Sequence, residues 1–401
     1  MLFPGGVDTK WIVELGVGSS GFKNDFDLAT FPGLRRLFAI LIDQENGFCK
    51  SDFSDIETKL PRAFARRDDL RHLSNTIDYY SKYFSACQVI DDPESDEGKS
   101  AVEAFLAAYA RTRNWPSNAT HRAEVEKALA RGRQPSTVDA LDEASSLVKE
   151  RRFVVLQGAP GTGKTRLAKL IATGLNAKVF FTQFHAETSY SDFVHGLVPD
   201  SEKSVLTYKS RDGVLASAIQ SAISDSSVNT VLIIDEINRA NLSNVLGPVF
   251  YLFEHQMNES EIEINVTPQL SLARLPKNFF VIATMNTADR SLAVVDFALR
   301  RRFAWYTIRP QRISPDEELK FFDDDFEIFD RIFGWFANSS ELPLQPGQGY
   351  FIAANADEMT NRVRYELYPL ISEFLQEGLL RTAKEEFNAY FLKRISRSIF
   401  E

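Results

Sequence analysis

The chain has 401 residues, 44% of them hydrophobic, and a formal net charge of −9. That length accommodates two or three domains with real cores. The acidic balance argues against a uniformly basic nucleic-acid binder but leaves room for a local basic patch. Cys49 and Cys87 are the only cysteines; they are too few for a disulfide framework and lack metal-ligand spacing, so buried thiols in a reducing compartment are expected. No apolar run reaches the roughly 18 residues of a membrane span, and the first residues lack a signal-peptide layout. A soluble cytoplasmic chain is expected, in which the Asn118-Ala-Thr120 acceptor pattern carries no meaning.

In chain order, Met1 to about Phe31 is rich in glycine and strand formers, notably Trp11-Ile-Val-Glu-Leu15. From Pro32 the apolar spacing turns helical, at Leu34, Leu37, Phe38 and Leu41 and later at Val102, Phe105, Leu106 and Tyr109. Between them lies an acidic loop, Asp91-Asp-Pro-Glu-Ser-Asp-Glu-Gly98. Gly132-Arg-Gln-Pro135 breaks the chain, and Ser136 with Asp139 forms a capping box for a helix through Lys149, striped by Val138, Leu141, Ala144, Leu147 and Val148. A boundary near residue 134 separates residues 1–133, a mainly helical accessory domain, from the remainder of the chain.

Phe153-Val-Val-Leu-Gln157 is a strand that runs directly into Gly158-Ala-Pro160-Gly161-Thr162-Gly163-Lys164-Thr165. Strand, glycine-rich loop and helix (from Arg166 to Gly174) are the required order of a P-loop. The glycines let backbone N–H groups face phosphate oxygens, and the helix adds its positive dipole end. Lys164 supplies a charge for the terminal phosphates, and Thr165 a hydroxyl for Mg²⁺. The ligand class is therefore a nucleoside triphosphate.

Further short apolar runs occur at Lys178–Gln183, Thr230–Ile234 and Asn278–Thr284, separated by helical stretches at Val214–Ile223 and Leu242–Glu254. This alternation predicts an α/β fold with a parallel sheet covered on both faces through about residue 309. From Pro310 helical patterns dominate (Glu317–Phe322, Phe326–Phe336, Asn361–Glu377, Thr382–Ile395), making 310–401 a helical lid.

Val231-Leu-Ile-Ile-Asp235-Glu236 has the form of a Walker B strand, which delivers two carboxylates to the sheet edge where open α/β sheets bind ligands. Asp235 would complete the Mg²⁺ shell and Glu236 would polarise the attacking water. The next run ends in Thr284-Met285-Asn286, where Asn286 can hydrogen-bond the γ-phosphate or the water, or else cap a turn. Asp296-Phe-Ala-Leu-Arg300-Arg301-Arg302-Phe303 places three arginines together at a helix end. Such a cluster is costly unless a negative partner offsets it, and a neighbouring subunit's triphosphate is one candidate, suited to arginine's planar fork. A solvated helix end and a nucleic-acid contact are the alternatives.

Together, Asp235-Glu-Ile-Asn-Arg-Ala-Asn-Leu-Ser243 and Met285-Asn-Thr-Ala-Asp-Arg-Ser291, continuing to Phe303, closely resemble the McrB family, the AAA+ motor subunits of modification-dependent restriction systems. Softer matches are Phe184-His185, Tyr190-Ser-Asp-Phe193-Val-His-Gly196 and Arg364-Tyr-Glu-Leu-Tyr-Pro369-Leu-Ile-Ser-Glu-Phe374. The resemblance covers roughly residues 137–380. It implies an AAA+ P-loop NTPase core over 134–309 and a hexameric ring whose hydrolysis is stimulated by a McrC-like nuclease partner. It also implies a catalytic role for Asn286, with Asp296, Arg301 and Arg302 reaching the neighbour's nucleotide. GTP, preferred by the best-known members, is implied over ATP, although nothing in the sequence itself shows the base preference. A sensor-2 motif is absent from the lid, and Arg362 and Arg364 are read as packing or solvated residues.

In the resembling family the N-terminal position holds a module that recognises modified DNA. Here Arg62, Arg66, Arg67, Arg71 and Lys82 lie near Tyr79, Tyr80, Tyr83 and Phe84, and Arg111, Arg113, Trp115, His121 and Arg122 cluster later. Basic residues among aromatics could track a backbone and stack a base; a charged outer face of a helical domain reads equally well, with Asp68 and Asp69 diluting the field, and binding a protein partner or docking against the ring are further roles for residues 1–133. The principal alternative for the whole chain is a MoxR-like AAA+ protein-remodelling ATPase. No nuclease constellation is recognisable, so cleavage is assigned to a separate partner.

Overall fold

The structure, a computed structural model, describes residues 2–3, 10–16, 42, 46–50, 60–112, 140–199, 207–254, 262–288, 297–315 and 318–400. Its contacts divide into two compact units: Met1–Thr137 with Arg331–Leu342 and Ile371–Glu401, and Val138–Asp330 with Pro343–Leu370. Among the described residues no helix is long and apolar enough to cross a membrane.

In the first unit, β1 (Leu2–Phe3), β2 (Trp11–Gly16), β3 (Gly47–Cys49) and β4 (Phe84–Ile90) form an antiparallel sheet in the order β1-β2-β4-β3. Sequence reading located only the second of these. Alternation along β2 serves both faces: Ile12 packs with Leu70, Leu73, Ile77 and Phe84, whereas Val13 packs with Ala86, Phe105 and Trp335. The helical spacing around Phe105 is realised as the helix Asp96–Thr112. The helical pattern read at Leu34–Leu41, the capping box at Ser136 and the cluster at Arg113–Arg122 lie outside the described residues.

The same alternation puts Glu14 on the Ile12 face, where it is almost fully buried. Burial, opposed by the positive chain amino terminus, raises its carboxyl from 4.5 to about 7. A raised folded-state pKa means this contribution is most favourable below pH 4.5 and is lost as pH rises through about 7.

In the second unit the strands run in chain order. β5 (Phe153–Gly158) and β6 (Lys178–Gln183) precede an antiparallel hairpin, β7 (His195–Pro199) with β8 (Tyr208–Asp212). β9 (Thr230–Asp235) leads to a second hairpin, β10 (Ile264–Thr267) with β11 (Leu270–Leu272), before β12 (Phe279–Asn286) and β13 (Ala304–Ile308). The five long strands form one parallel sheet in the order β13-β5-β12-β9-β6. β12 is central, and its first seven residues are all buried, as a strand covered on both faces must be. One face packs on Leu215, Ile219, Val245 and Phe253; the other packs on Ala144, Val148, Ala168 and Ile171.

Three expected helices are realised differently. Leu242–Glu254 is an α-helix only over Leu242–Leu246; Gly247, at φ +46°, and Pro248, without an N–H, convert the remainder to a 3₁₀ turn over Gly247–Phe253. Within Glu317–Phe322, Lys320–Phe321 is instead a short strand, β14, antiparallel to β15 (Ile352–Ala353). The segment Asn361–Glu377 is helical but passes through a π turn at Val363–Leu367, next to Pro369, which cannot donate to an upstream carbonyl.

Replacing Glu14 with Gln should remove the titration that weakens the first unit as pH rises from 4.5 to about 7. Relative to wild type, Glu14→Gln should gain on the order of 3 kcal/mol between pH 5 and pH 8, read from denaturant unfolding across that range. An unchanged difference between the two proteins at both pH values would contradict this.

Candidate nucleotide site

The parallel register brings the candidate residues to one sheet edge. Gly158, ending β5, lies opposite Asn286 of β12 and Ile308 of β13, and Ile234 lies opposite Ala283. The P-loop leaves β5 there. Its turn needs positive φ at Gly161 (+77°) and Gly163 (+81°), which glycine adopts without strain, and Gly163 caps the helix Lys164–Gly174. Thr162 is buried, its hydroxyl donating to the Ala159 carbonyl at 2.8 Å. Lys164 folds back over the loop, its Nζ donating to the carbonyls of Gly158 (2.9 Å) and Ala159 (2.8 Å). This places the ammonium inside the loop's concavity, where phosphate oxygens would compete for it as stronger, charged acceptors.

At the second residue of the helix, the Thr165 hydroxyl donates to Asp235 Oδ1 at 2.7 Å. The Thr284 hydroxyl donates to the same oxygen, also at 2.7 Å, and accepts the Glu236 N–H at 3.1 Å. Thr284 is thus a buried linker between the two carboxylate residues, a role with no sequence signal because it arises only from the pairing of β12 with β9. A hydroxyl and a carboxylate in contact at a phosphate-binding loop form a suitable partial donor set for Mg²⁺, which takes one or two protein ligands and completes its shell with phosphate oxygens and water.

Glu236 adopts a left-handed backbone, φ +56°, unusual for a residue with a side chain. Its Oε2 receives Arg239 Nε at 2.9 Å, so the carboxylate of the expected water-polarising residue is held by a cation three residues on. Asn286 ends β12 with its Oδ1 accepting the Ala288 N–H at 3.2 Å, and its carbonyl accepts Asn238 Nδ2 at 3.4 Å. The turn-capping geometry is therefore present, and it fixes the carboxamide at the strand tip beside Gly158.

The arginines divide. Arg301 is largely exposed, with 64% of its side chain accessible, and Nη2 lies 3.0 Å from Glu254 Oε2. Arg302 departs from the expectation of a surface residue: it is 9% accessible, bonded to the same Glu254 oxygen at 2.8 Å, and its guanidinium sits 4.3 Å over the Phe250 ring. The 3₁₀ turn ending at Phe253 carries Phe250 and leads to Glu254, which explains that burial. Arg300 stacks over Trp305 at 5.1 Å. Asp296 lies outside the described residues.

In the N-terminal cluster, Phe84 is a core residue and cannot stack a base, whereas Tyr79 is 69% exposed. Arg67 is paired with Asp69 at 2.7 Å and Arg71 with Asp68 at 3.0 Å. Asp69 is held below the usual carboxylate range by its hydrogen bond from Arg67. Arg62, Arg66 and Lys82 are exposed. Among the described residues no group of three or more His, Cys, Asp or Glu side chains is arranged to hold a metal.

Residues 153–303 match the family model of the AAA domain (dynein-related subfamily). Over 173 residues the chain is 40% identical to the type IV methyl-directed restriction enzyme EcoKMcrB subunit of Escherichia coli (strain K12), covering 41% of this chain and 37% of that protein. Over 191 residues it is 28% identical to the type II restriction enzyme BsuMI component YdiS of Bacillus subtilis (strain 168), covering 38% of this chain and 55% of that protein. The aligned region thus spans less than two thirds of either relative. Residues 153–303 hold the phosphate-binding loop and the carboxylate pair just described, and on these grounds the chain carries an AAA domain, with similarity to the methyl-directed restriction subunit.

Proposed function

We propose that this chain is a Mg²⁺-dependent nucleoside triphosphatase, using GTP or ATP, and the motor subunit of a McrBC-like restriction system. The observation that carries the hydrolytic reading is the 2.7 Å contact between Thr165 and Asp235, beside a P-loop whose lysine already lies in its concavity. The restriction setting is supported by the 40% identity to the methyl-directed restriction subunit. In this reading Gly158, Pro160, Gly161, Thr162, Gly163, Lys164 and Thr165 hold the phosphates. Thr165 and Asp235 would hold Mg²⁺, whose chemistry when bound is to neutralise charge on the phosphate oxygens.

Glu236 orients and polarises the attacking water once its carboxylate turns from Arg239 to the substrate. Asn286 fixes that water or the γ-phosphate from the adjacent strand tip. Arg301, exposed at a helix end, reaches a neighbour's nucleotide, with Asp296 part of the same surface. Arg302 supports it from beneath through Glu254 and Phe250. Each site is then completed only in a ring, taken as a hexamer, and DNA cleavage is delegated to a separate McrC-like nuclease. Residues 1–133 are the accessory domain, with direct DNA contact one of its candidate roles, followed by the core at 134–309 and the lid at 310–401. The whole works in the cytoplasm.

Three substitutions test this reading. Lys164→Ala should weaken triphosphate binding by roughly tenfold to a hundredfold, since it removes a charged donor to phosphate. Glu236→Gln should leave binding intact and lower turnover by roughly 10²- to 10⁴-fold. Binding is read by fluorescent-nucleotide titration and turnover by phosphate release with Mg²⁺. A wild-type chain that releases no phosphate from GTP or ATP, alone or with its partner nuclease, would refute the hydrolytic reading. Arg301→Ala should spare nucleotide binding and cut turnover of the assembled protein by about 10³-fold or more; equal turnover would remove Arg301 from that role.

A further inference from the structure

We propose that Gly347-Gln348-Gly349 is a strap that aims the P-loop's backbone N–H groups at phosphate, with Gln348 as its positioning residue. The proposal rests on the nucleotide-binding reading above and deepens it.

A P-loop amide can reach phosphate where the carbonyl before it faces away from the ligand, because that carbonyl would otherwise repel a phosphate oxygen. In a trans peptide the C=O of one residue and the N–H of the next point in opposite directions. Fixing a carbonyl therefore fixes the following amide. Three successive loop carbonyls are taken by the strap. Gly347 N–H donates to Pro160 O at 2.9 Å, Gly349 N–H to Gly161 O at 2.8 Å, and Gln348 Nε2 to Thr162 O at 2.8 Å. The amides that follow these carbonyls belong to Gly161, Thr162 and Gly163. Those of Gly161 and Gly163 are turned to the opposite side of the loop by this arrangement, and that of Thr162 also closes a long bond of 3.4 Å to Ala159 O.

The close approach depends on glycine. A Cβ on Gly347 would lie 2.2 Å from Gly161 C and 2.3 Å from Thr162 N, against backbone that cannot yield without moving the loop. Gln348 is itself buried. Its Oε1 accepts the Gln311 N–H at 3.4 Å, so the carboxamide is oriented with its NH₂ toward Thr162. Tyr350 closes the same contact, its ring lying where a Cβ on Gly161 would come within 2.9 Å of Cδ2. The strap thus holds the loop in its phosphate-facing form from a point 186 residues away in sequence.

Gln348→Met keeps length and burial but deletes the donor to Thr162. Gln345→Met is the control, because Gln345 is equally buried in the same segment but bonds Asp330 at 3.2 Å rather than the P-loop. In the full chain, Gln348→Met should weaken binding of fluorescently labelled GTP and ATP, and of competing pyrophosphate, by a common factor of about tenfold. KM should rise with kcat little changed, and Gln345→Met should bind as wild type does. Wild-type affinity in Gln348→Met would overturn the proposal, as would equal losses in both variants, which would assign the effect to segment packing. A wild-type chain that binds neither triphosphate would instead overturn the nucleotide reading beneath it.

Discussion

Asp235 Oδ1 is the acceptor on which the arrangement of this site depends. It takes hydroxyl hydrogen bonds from Thr165, at the start of the helix after the P-loop, and from Thr284, on the central strand. Three separate segments therefore converge on one carboxylate oxygen. That convergence results from the in-register parallel pairing of β5, β12 and β9, which sets the ends of all three strands at one edge. A shift of one residue in either pairing would send Thr284 to the opposite face of the sheet, because side chains alternate along a strand. The buried apolar run Phe279 to Ala283 guards against such a slip, since both faces of β12 are filled.

The site divides into finished and unfinished parts. Within one chain, the loop, the candidate cation ligands Thr165 and Asp235, and the strand-tip asparagine are already in place. The two groups that would act at the moment of reaction are held by local ion pairs instead: Glu236 by Arg239, and Arg301 by Glu254. Both pairs are partly exposed, where such contacts contribute little and exchange readily. Arg302 differs, because its guanidinium is desolvated between Glu254 and Phe250, and removing Glu254 would take its carboxylate partner from a charge that stays buried. A scaffold that keeps one arginine fixed and the adjacent one at the surface is well suited to presenting the second to another subunit.

Much of this was legible in the sequence because the informative features are local. The P-loop is a contiguous strand, turn and helix start; the Asp235-Glu236 pair comes directly after four apolar residues; and β6 spans the same residues that the apolar pattern marks. The features that were not legible depend on contacts distant in the chain. Gln348 carries no motif and matters only because the fold lays it against Thr162. Thr284 is an ordinary strand residue until β9 is placed beside it. The buried state of Arg302 stems from the break at Gly247-Pro248, which turns the next segment into a 3₁₀ turn bearing Phe250. In the first unit, β3 and β4 pair across a long stretch of sequence, and short antiparallel strands of this kind give weak local signals.

Subunit mixing tests the central claim, that a phosphate site on one chain is completed by an arginine from its neighbour, most directly. Lys164→Ala and Arg301→Ala proteins would each be assayed alone for Mg²⁺-dependent phosphate release and then combined at equal concentration. The account predicts that each is inactive alone and that the mixture regains turnover, because some seams join an intact loop to an intact arginine. A mixture that co-assembles yet stays as inactive as its components, while wild type hydrolyses nucleotide, would contradict it.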